Sequence, residues 1–274
     1  MKGGIECADK VTTVSKTYAG EILDPWFSHG LDPILRARSY KLSGILNGID
    51  TASYNPEKDK DIFCNYSAKN PEGKKENKAK LQEMFNLPVR DDVPLMGIVS
   101  RLVAHKGLDL VKRVMWEQLS NSDMQLVILG SGDWEYEEFF RELAKAFPDK
   151  VGLRLGFIPD LARKIYAGSD MFLMPSKSEP CGLSQMVALR YGSVPIVRET
   201  GGLKDTITDS GDGAGNGFTF KSYDAYDMLD AIRRALAAYY DRDHWQTLVT
   251  RALKCDNSWG SSAKEYIKLY ESLM

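Results

Sequence analysis

The sequence lacks any long apolar run. No segment approaches the roughly 18 uninterrupted apolar residues that a membrane-spanning helix needs. The first residues, MKGG, do not lead into the apolar core of a signal peptide. We therefore expect a cytoplasmic protein with no membrane partner.

Cysteine and net charge are also scarce. The four cysteines are widely separated and form no CxxC pair, which disfavours a disulfide scaffold or a zinc site and favours reduced thiols. We expect these thiols to be buried and inert, with Cys181 as the one to consider for a role. The 36 Lys and Arg against 38 Asp and Glu give a net charge of −2, which does not support a nucleic-acid partner. A hydrophobic content of 43% in 274 residues is that of a globular chain.

What the sequence does contain is an alternation of short β-branched runs with segments of helical period, from Val93 onward. This alternation is typical of βαβ units and predicts an α/β domain with a doubly wound parallel sheet. Strands are predicted at residues 95–100, 125–129, 151–155, 171–175 and 195–197. The helices that follow them are predicted at residues 108–119, 135–147, 161–168, 182–191 and 203–208.

The regions on either side of this domain are less regular. Upstream, pieces with too few neighbours for a second core are predicted as a strand at 10–15, a helix at 17–23 and a strand at 42–48. The polar segment 55–80 has little apolar periodicity and is expected to be a surface connection. Downstream, apolar residues at helical spacing predict helices at 224–240 and 262–273.

The loop after the first predicted strand carries two cations. Open α/β sheets bind ligands at the carboxyl ends of their strands, and the segment SRLVAHKG places Arg101 and Lys106 at such an end. A guanidinium fork and an ammonium that converge there would suit a diphosphate, and Gly107 would ease close backbone approach. The alternative is two solvated surface cations.

The loop after the second strand, LGSGD, begins a dinucleotide-binding fingerprint without completing it. The third glycine of GxGxxG would fall at position 135, which is Glu135, so the fingerprint fails. We expect a simple turn in which Asp133 caps the next helix.

Two later loops place helix starts at the same edge of the sheet. Glu179 precedes Pro180 in SEPCGL, which favours an extended backbone and lets the carboxylate accept hydrogen bonds from sugar hydroxyls; a plain helix-end charge is the alternative. In ETGGL, Gly201 and Gly202 could bring amides close to a phosphate, or could simply form the turn. The convergence of cations, a carboxylate and helix starts at one edge favours the functional alternatives.

The segments that carry these residues resemble the bacterial glycogen (starch) synthases, which are retaining glycosyltransferases of the GT-B fold. The resemblance covers essentially the whole chain, and the EPCGL and TGGL blocks together make it highly specific. The matching segments are SRLVAHKGLDLV, MPSKSEPCGLSQMVALRYGSVPIVRETGGLKDT, GGIECADKVTTVSKTYAGEI and SGILNGID.

The resemblance implies that glucose is transferred from ADP-glucose to the non-reducing 4-hydroxyl of an α-1,4-glucan, with retention. It implies that Arg101 and Lys106 hold the donor diphosphate and stabilise the departing nucleotide electrostatically, with no obligatory metal and no cofactor. It also implies that Glu179 holds the glucose hydroxyls. The other substrate-binding residues implied are Phe157 against the adenine, the backbone of Cys181, Gly182 and Leu183, and a distal phosphate loop formed by Thr200, Gly201 and Gly202.

The chain departs from the family pattern in three respects. Related retaining glycosyltransferases carry a second glutamate where this chain has Val187, which agrees with the glycogen synthase branch. His105 stands where glutamine is frequent, and we expect it to orient the loop or face water without a catalytic role. The KxGGL donor loop and the acceptor-side histidine and aspartate of the family's N-terminal domain do not occur in the sequence.

The missing motifs imply a domain organisation. Residues 1–45 would be a remnant of the N-terminal domain, 46–256 the nucleotide-sugar domain, and 257–274 a C-terminal helix that crosses back. The absent N-terminal domain would be a partner, and the chain alone would transfer little or no glucose. The alternatives that stay open are another GT-B glycosyltransferase with a UDP- or ADP-sugar, a non-catalytic nucleotide-binding module, and a remnant that binds no ligand.

Overall fold

A computed structural model describes all 274 residues, except for the side chain of Asp212. The strands, numbered in chain order, are β1 Val11–Thr13, β2 Leu42–Gly44, β3 Leu95–Val99, β4 Gln125–Gly130, β5 Val151–Leu155, β6 Met171–Met174, β7 Val194–Arg198 and β8 Phe218–Phe220. The α-helices are α1 Lys2–Cys7, α2 Lys16–Glu21, α3 Pro25–Ser28, α4 Asp32–Ala37, α5 Gly73–Met84, α6 Leu108–Asn121, α7 Trp134–Ala146, α8 Pro159–Gly168, α9 Ser184–Arg190, α10 Gly201–Thr206, α11 Ala225–Tyr240, α12 Arg242–Lys254 and α13 Trp259–Glu271.

The main sheet is parallel throughout and has the strand order β5-β4-β3-β6-β7-β8. From β3 the chain winds outward through β4 and β5, and from β6 it winds the other way through β7 and β8. The order therefore reverses between β3 and β6, and the loops that follow these two strands border one crevice. The predicted doubly wound α/β fold is confirmed.

Apolar side chains alternate between the two faces of this sheet. In β4, Leu126 and Ile128 join the larger core with residues of α6, α7 and α11. Val127 and Leu129 point to the opposite face and pack with residues of α5 and α8. Both faces are thus covered by helices, as the β-branched runs of the sequence predicted.

The predicted strands and helices of the α/β domain agree with the structure to within two residues at most ends. The prediction did not include β8, which has three residues, or α12. The prediction that segment 55–80 is a surface connection is wrong, because α5 begins at Gly73 and packs under the sheet. Its buried side chains include Lys74, Asn77 and Lys78, so the apolar periodicity that reveals a core helix is missing.

The N-terminal segment forms a small cluster of its own. Ile5, Ile22 and Leu35 are buried together, so these pieces do build a minor apolar core, contrary to the expectation. The short sheet β1–β2 is parallel. The segment is tied to the α/β domain where Ser15 Oγ donates to the Pro180 carbonyl at 2.5 Å.

Two local predictions need correction. Asp133 is the N-cap residue of α7, but its side chain accepts no capping hydrogen bond; instead Glu137 accepts from the Gly132 amide at 3.0 Å. The four thiols are free as expected, but Cys181 is the buried one, whereas Cys7 is exposed.

The sequence contains no segment that is expected to cross a membrane as a helix. Within the described part of the chain, no helix has both the length and the apolar content needed to cross a bilayer.

Candidate active site

The loops after β3 and β6 touch each other at the carboxyl edge of the sheet. Gly107, which follows the turn at Ala104–Lys106, has a left-handed φ of +74°. A Cβ atom at this position would lie 1.9 Å from the carbonyl oxygen of Pro175. Glycine is therefore required both for the backbone conformation and for the contact, and this contact brings the two loops together.

The contact places Lys106 against Glu179. Lys106 Nζ lies 2.6 Å from Glu179 Oε2, which also accepts a hydrogen bond from Ser176 Oγ at 2.9 Å. The lysine side chain is 18% exposed and the glutamate side chain 12%. The pair is thus partly desolvated, which strengthens its electrostatic interaction, and it still has access to solvent on one side.

Arg101 lies on the exposed side of the same loop. Its Nη2 lies 3.3 Å from Nε2 of His105. Burial, followed by the charges of Lys106 and Arg101, lowers the pKa of His105, which favours a neutral ring that accepts from Arg101. His105 thus contacts Arg101 within its own loop and is also exposed to solvent, so both expected alternatives for this residue stay open.

Two cavities meet at these side chains. The larger has a volume of about 690 Å³, and its lining includes Arg101, Lys106 and Glu179 on one side and aromatic residues of the N-terminal segment on the other. These aromatic residues are Tyr18, Trp26 and Phe27. A smaller cavity of about 200 Å³ is lined by the same two cations together with Ser176 and Ser184. Ser184 is the first residue of α9, so the start of this helix lies beside the cations.

The segment that leads into α9 has a constrained backbone. Gly182 has a left-handed φ of +67°, and Gln185 Nε2 donates to the carbonyls of Cys181 and Gly182 at 3.1 and 2.9 Å. Leu183 precedes the helix and is 50% exposed. Cys181 is 8% exposed, and burial raises the pKa of its thiol, so the sulfur is neutral and largely out of reach of a ligand.

Residues 200–202 lie against the loop that carries Glu179. Thr200 is fully buried, the Gly201 amide donates to Glu21 Oε1 at 3.0 Å, and the Gly202 amide donates to the Glu179 carbonyl at 3.1 Å. The structure therefore brings this predicted loop to the site, with both glycine amides donating to protein acceptors. Its assignment as a distal phosphate loop stays a prediction.

Phe157 follows β5, and its side chain is 90% exposed. It lines neither of the two cavities described above. Its predicted contact with adenine also stays a prediction.

Three residues of the site were not foreseen from the sequence. Ser176 had a weak signal, since it lies three residues before Glu179 in an extended loop. Glu21 and Trp26 gave none, because they lie on short helices of the N-terminal segment, far from the site in sequence.

No three His, Cys, Asp or Glu side chains are arranged to hold a metal ion in the part of the chain that the structure describes. The charged side chains that line the larger cavity together include Arg101, Lys106 and Glu179. Two cations and one carboxylate beside a helix start can bind an anionic group next to a polyhydroxyl group.

Two protein-family models match the chain. The family model described as "Glycosyl transferases group 1" matches residues 79–248, and a model described as "Starch synthase catalytic domain" matches residues 1–37. The chain belongs to the glycosyl transferases of group 1 and has the parallel α/β architecture of a GT-B domain.

The curated relatives are more specific. The chain is 51% identical over 272 residues to the glycogen synthase of Bacillus licheniformis, covering 98% of this chain and 56% of that protein. It is 53% identical over 277 residues to the glycogen synthase of Clostridium acetobutylicum, covering 100% of this chain and 58% of the relative. The chain thus spans little more than half the length of these relatives.

The chain is also similar to a solved structure of a starch synthase. The catalytic domain of starch synthase IV from Arabidopsis thaliana, bound to ADP and acarbose, superposes with a TM-score of 0.92 at 40% identity. The superposition covers 99% of this chain and 57% of that one.

Proposed function

We propose that this chain is the donor-binding part of a glycogen synthase, which transfers glucose from ADP-glucose to the non-reducing end of an α-1,4-glucan with retention. The observation that carries the proposal is the contact of 2.6 Å between Lys106 and Glu179, with Arg101 beside it, at the switch point of the sheet. The similarity to glycogen synthases and to an ADP-bound starch synthase supports the choice of substrate.

In this proposal Arg101 and Lys106 bind the diphosphate of the donor. In the reaction the bond between the anomeric carbon and the diphosphate oxygen breaks, and a bond to the acceptor 4-oxygen forms as that hydroxyl passes its proton to the released diphosphate oxygen. Negative charge accumulates on the departing ADP. Two fixed cations and the start of α9 stabilise this charge, and no metal ion is needed for the neutralisation.

Glu179 binds hydroxyl groups of the donor glucose. Its carboxylate is held by Lys106 and Ser176, so its orientation is set before the sugar arrives. The backbone of residues 181–183 completes the sugar and phosphate contacts. Phe157 would pack against the adenine ring, for which its exposed face is available.

The glucan acceptor would enter through the larger cavity. Trp26 is 69% exposed and lines this cavity with Tyr18 and Phe27, and aromatic linings are common in sites for small organic ligands. The related starch synthase was solved with both ADP and acarbose. The remaining acceptor contacts would come from the part of the family's architecture that this chain does not span. We also propose that the enzyme acts in the cytoplasm.

The transfer reaction tests the proposal. ADP-[14C]glucose and glycogen are incubated with the chain, alone and supplemented with the part of the Clostridium acetobutylicum enzyme that it does not match. We expect little transfer by the chain alone. Transfer should increase on supplementation, because the added part supplies the other half of the cleft, which positions the acceptor. Robust transfer by the chain alone would contradict the requirement for a second half.

Addition of EDTA provides the test for metal independence. We expect it to leave the affinity for ADP unchanged. A loss of binding that Mg²⁺ restores would contradict the assignment of the diphosphate to Arg101 and Lys106 alone.

A further inference from the structure

Glu21, the last residue of α2, reaches the loop between β7 and α10. Its Oε1 accepts hydrogen bonds from Thr200 Oγ1 at 2.8 Å and from the Gly201 amide at 3.0 Å. Its Oε2 is buried and has no hydrogen-bond partner among the described residues. Leaving a carboxylate oxygen buried and unpaired is costly, so this placement calls for a functional explanation.

Residues 200–202 in turn support the backbone that carries Glu179. Gly201 has a φ of +44°, and a Cβ atom there would lie 2.0 Å from the carbonyl oxygen of Glu179. A Cβ atom at Gly202 would lie 1.8 Å from the carbonyl oxygen of Cys181. The Gly202 amide also donates to the carbonyls of Glu179 and Pro180, at 3.1 and 3.2 Å. Because the two loops are packed backbone to backbone, a shift of one displaces the other.

Arg198 holds the other side of the Glu179 loop, and the charge of Glu21 acts on this arginine. Arg198 Nη1 donates to the carbonyl of Lys177 at 2.8 Å, two residues before Glu179. Burial lowers the pKa of Arg198, and the charge of Glu21 opposes this shift. The charge of Glu21 therefore interacts favourably with the guanidinium that holds this carbonyl.

We propose that Glu21 is a positioning residue for Glu179. It fixes residues 200–202, and through them and Arg198 the backbone of residues 177–181, in the geometry in which Glu179 meets the donor sugar. The inference rests on the proposed function, which assigns Glu179 to the glucose. On this inference residues 200–202 act through Glu179 and do not bind a phosphate.

A second contact of α2 supplies a matched control. The amide and the hydroxyl of Thr17 donate to the carboxylate of Asp205 on α10 at 3.0 and 2.5 Å. We expect replacement of Asp205 by Asn to weaken the docking of α2 and to leave the contact between Glu21 and Gly201 in place. Comparison of the two positions thus separates positioning from docking.

The experiment measures the binding of ADP and of ADP-glucose to the full chain and to E21Q, E21A and D205N, together with amide hydrogen exchange in residues 177–183. For E21A we expect about a ten-fold loss of affinity for ADP-glucose, little change for ADP, and faster exchange in this segment. E21Q should lie between E21A and the unaltered chain, since an amide oxygen can still accept from Gly201. D205N should leave the ratio of the two affinities unchanged.

Three results would overturn the inference. Equal losses for both ligands in E21A and D205N would show that Glu21 only docks α2. A several-fold gain in ADP affinity in E21A would show that Glu21 competes with a phosphate for the Gly201 amide. Unchanged exchange and unchanged affinities would show that Glu21 positions nothing. If the unaltered chain binds no ADP, the proposed function fails, and hydrogen exchange still decides whether Glu21 orders the loop.

Discussion

The two edges of the parallel sheet each bury a lysine against a carboxylate. At the carboxyl edge Lys106 lies 2.6 Å from Glu179, and at the amino edge Lys78 lies 2.8 Å from Asp170. Among the described residues, Lys106 Nζ has one acceptor, which is Glu179. Lys78 Nζ donates to the Val93 carbonyl and the Tyr239 hydroxyl, at 2.6 and 2.8 Å, in addition to Asp170. Lys106 retains donors for a ligand, and Lys78 has already used its own.

Lys74 extends the contrast. Its Nζ donates to the carbonyls of Ala167, Ser169 and Tyr191 at 3.0, 2.9 and 3.1 Å, beside a cavity of about 390 Å³. Burial lowers the pKa of Lys74 to about 7. A cavity, a buried cation and a shifted pKa are thus all present at the amino edge, yet the ammonium is occupied in holding the ends of α8 and α9. Unused donors next to open space distinguish the carboxyl edge, where we propose that the ligand binds, from the amino edge.

Replacement of Lys74 by Met should give the largest loss of stability. It removes a donor from three buried carbonyls, of which only that of Tyr191 keeps a close second donor, the Tyr66 hydroxyl at 2.7 Å. We expect the free energy of unfolding to fall by about 2–4 kcal/mol. Urea denaturation followed by circular dichroism measures this loss, and calorimetry measures the ADP affinity of the folded variant. A ten-fold change in the Kd for ADP would contradict a purely structural role of Lys74.

Replacement of Arg101 or Lys106 by Ala should have the opposite pattern. Loss of a charge-assisted contact to the diphosphate should cost about 1.5–3 kcal/mol of binding, or roughly 10–100-fold in Kd. Lys112→Ala is the matched control, because this lysine pairs with Glu135 on α7 away from the site. Unchanged ADP affinity in both Arg101→Ala and Lys106→Ala would refute the diphosphate role.

Replacement of Glu179 by Ala should affect the sugar and not the nucleotide. The affinity for ADP-glucose should fall by about ten-fold, since a charged hydrogen-bond acceptor is lost, while the affinity for ADP is nearly retained. Titrations with the two ligands give this ratio, and circular dichroism shows that the variant is folded. Equal losses for ADP and ADP-glucose would remove Glu179 from the sugar site.

The smallest expected effect concerns His105. Since Arg101 is one of the groups that lower the pKa of His105, Arg101→Ala should raise this pKa toward its ordinary value of about 6.5. NMR titration of the ring C–H signals measures the change. A pKa that stays in place or falls would show that the contact between the two side chains does not persist in solution.

The sequence predicted the carboxyl edge far better than the amino edge. Arg101, Lys106 and Glu179 could be placed together because each follows an apolar strand, and the carboxyl ends of parallel strands share one edge. α5 was missed because its buried face is made of Lys74, Asn77 and Lys78, whose polar groups find partners only in the folded chain. Glu21 could not be predicted, since its contact joins residues 180 positions apart.

If the carboxyl edge binds ADP-glucose through Lys106 and Glu179, the unaltered chain should bind this donor in solution. Calorimetric titration with ADP-glucose and with UDP-glucose measures this binding. We predict one bound ADP-glucose per chain and weaker binding of UDP-glucose. The Kd for ADP-glucose should rise roughly 10–100-fold in Lys106→Ala and stay unchanged in Lys74→Met. Absence of ADP-glucose binding to the folded chain, or equal binding to Lys106→Ala, would contradict the account.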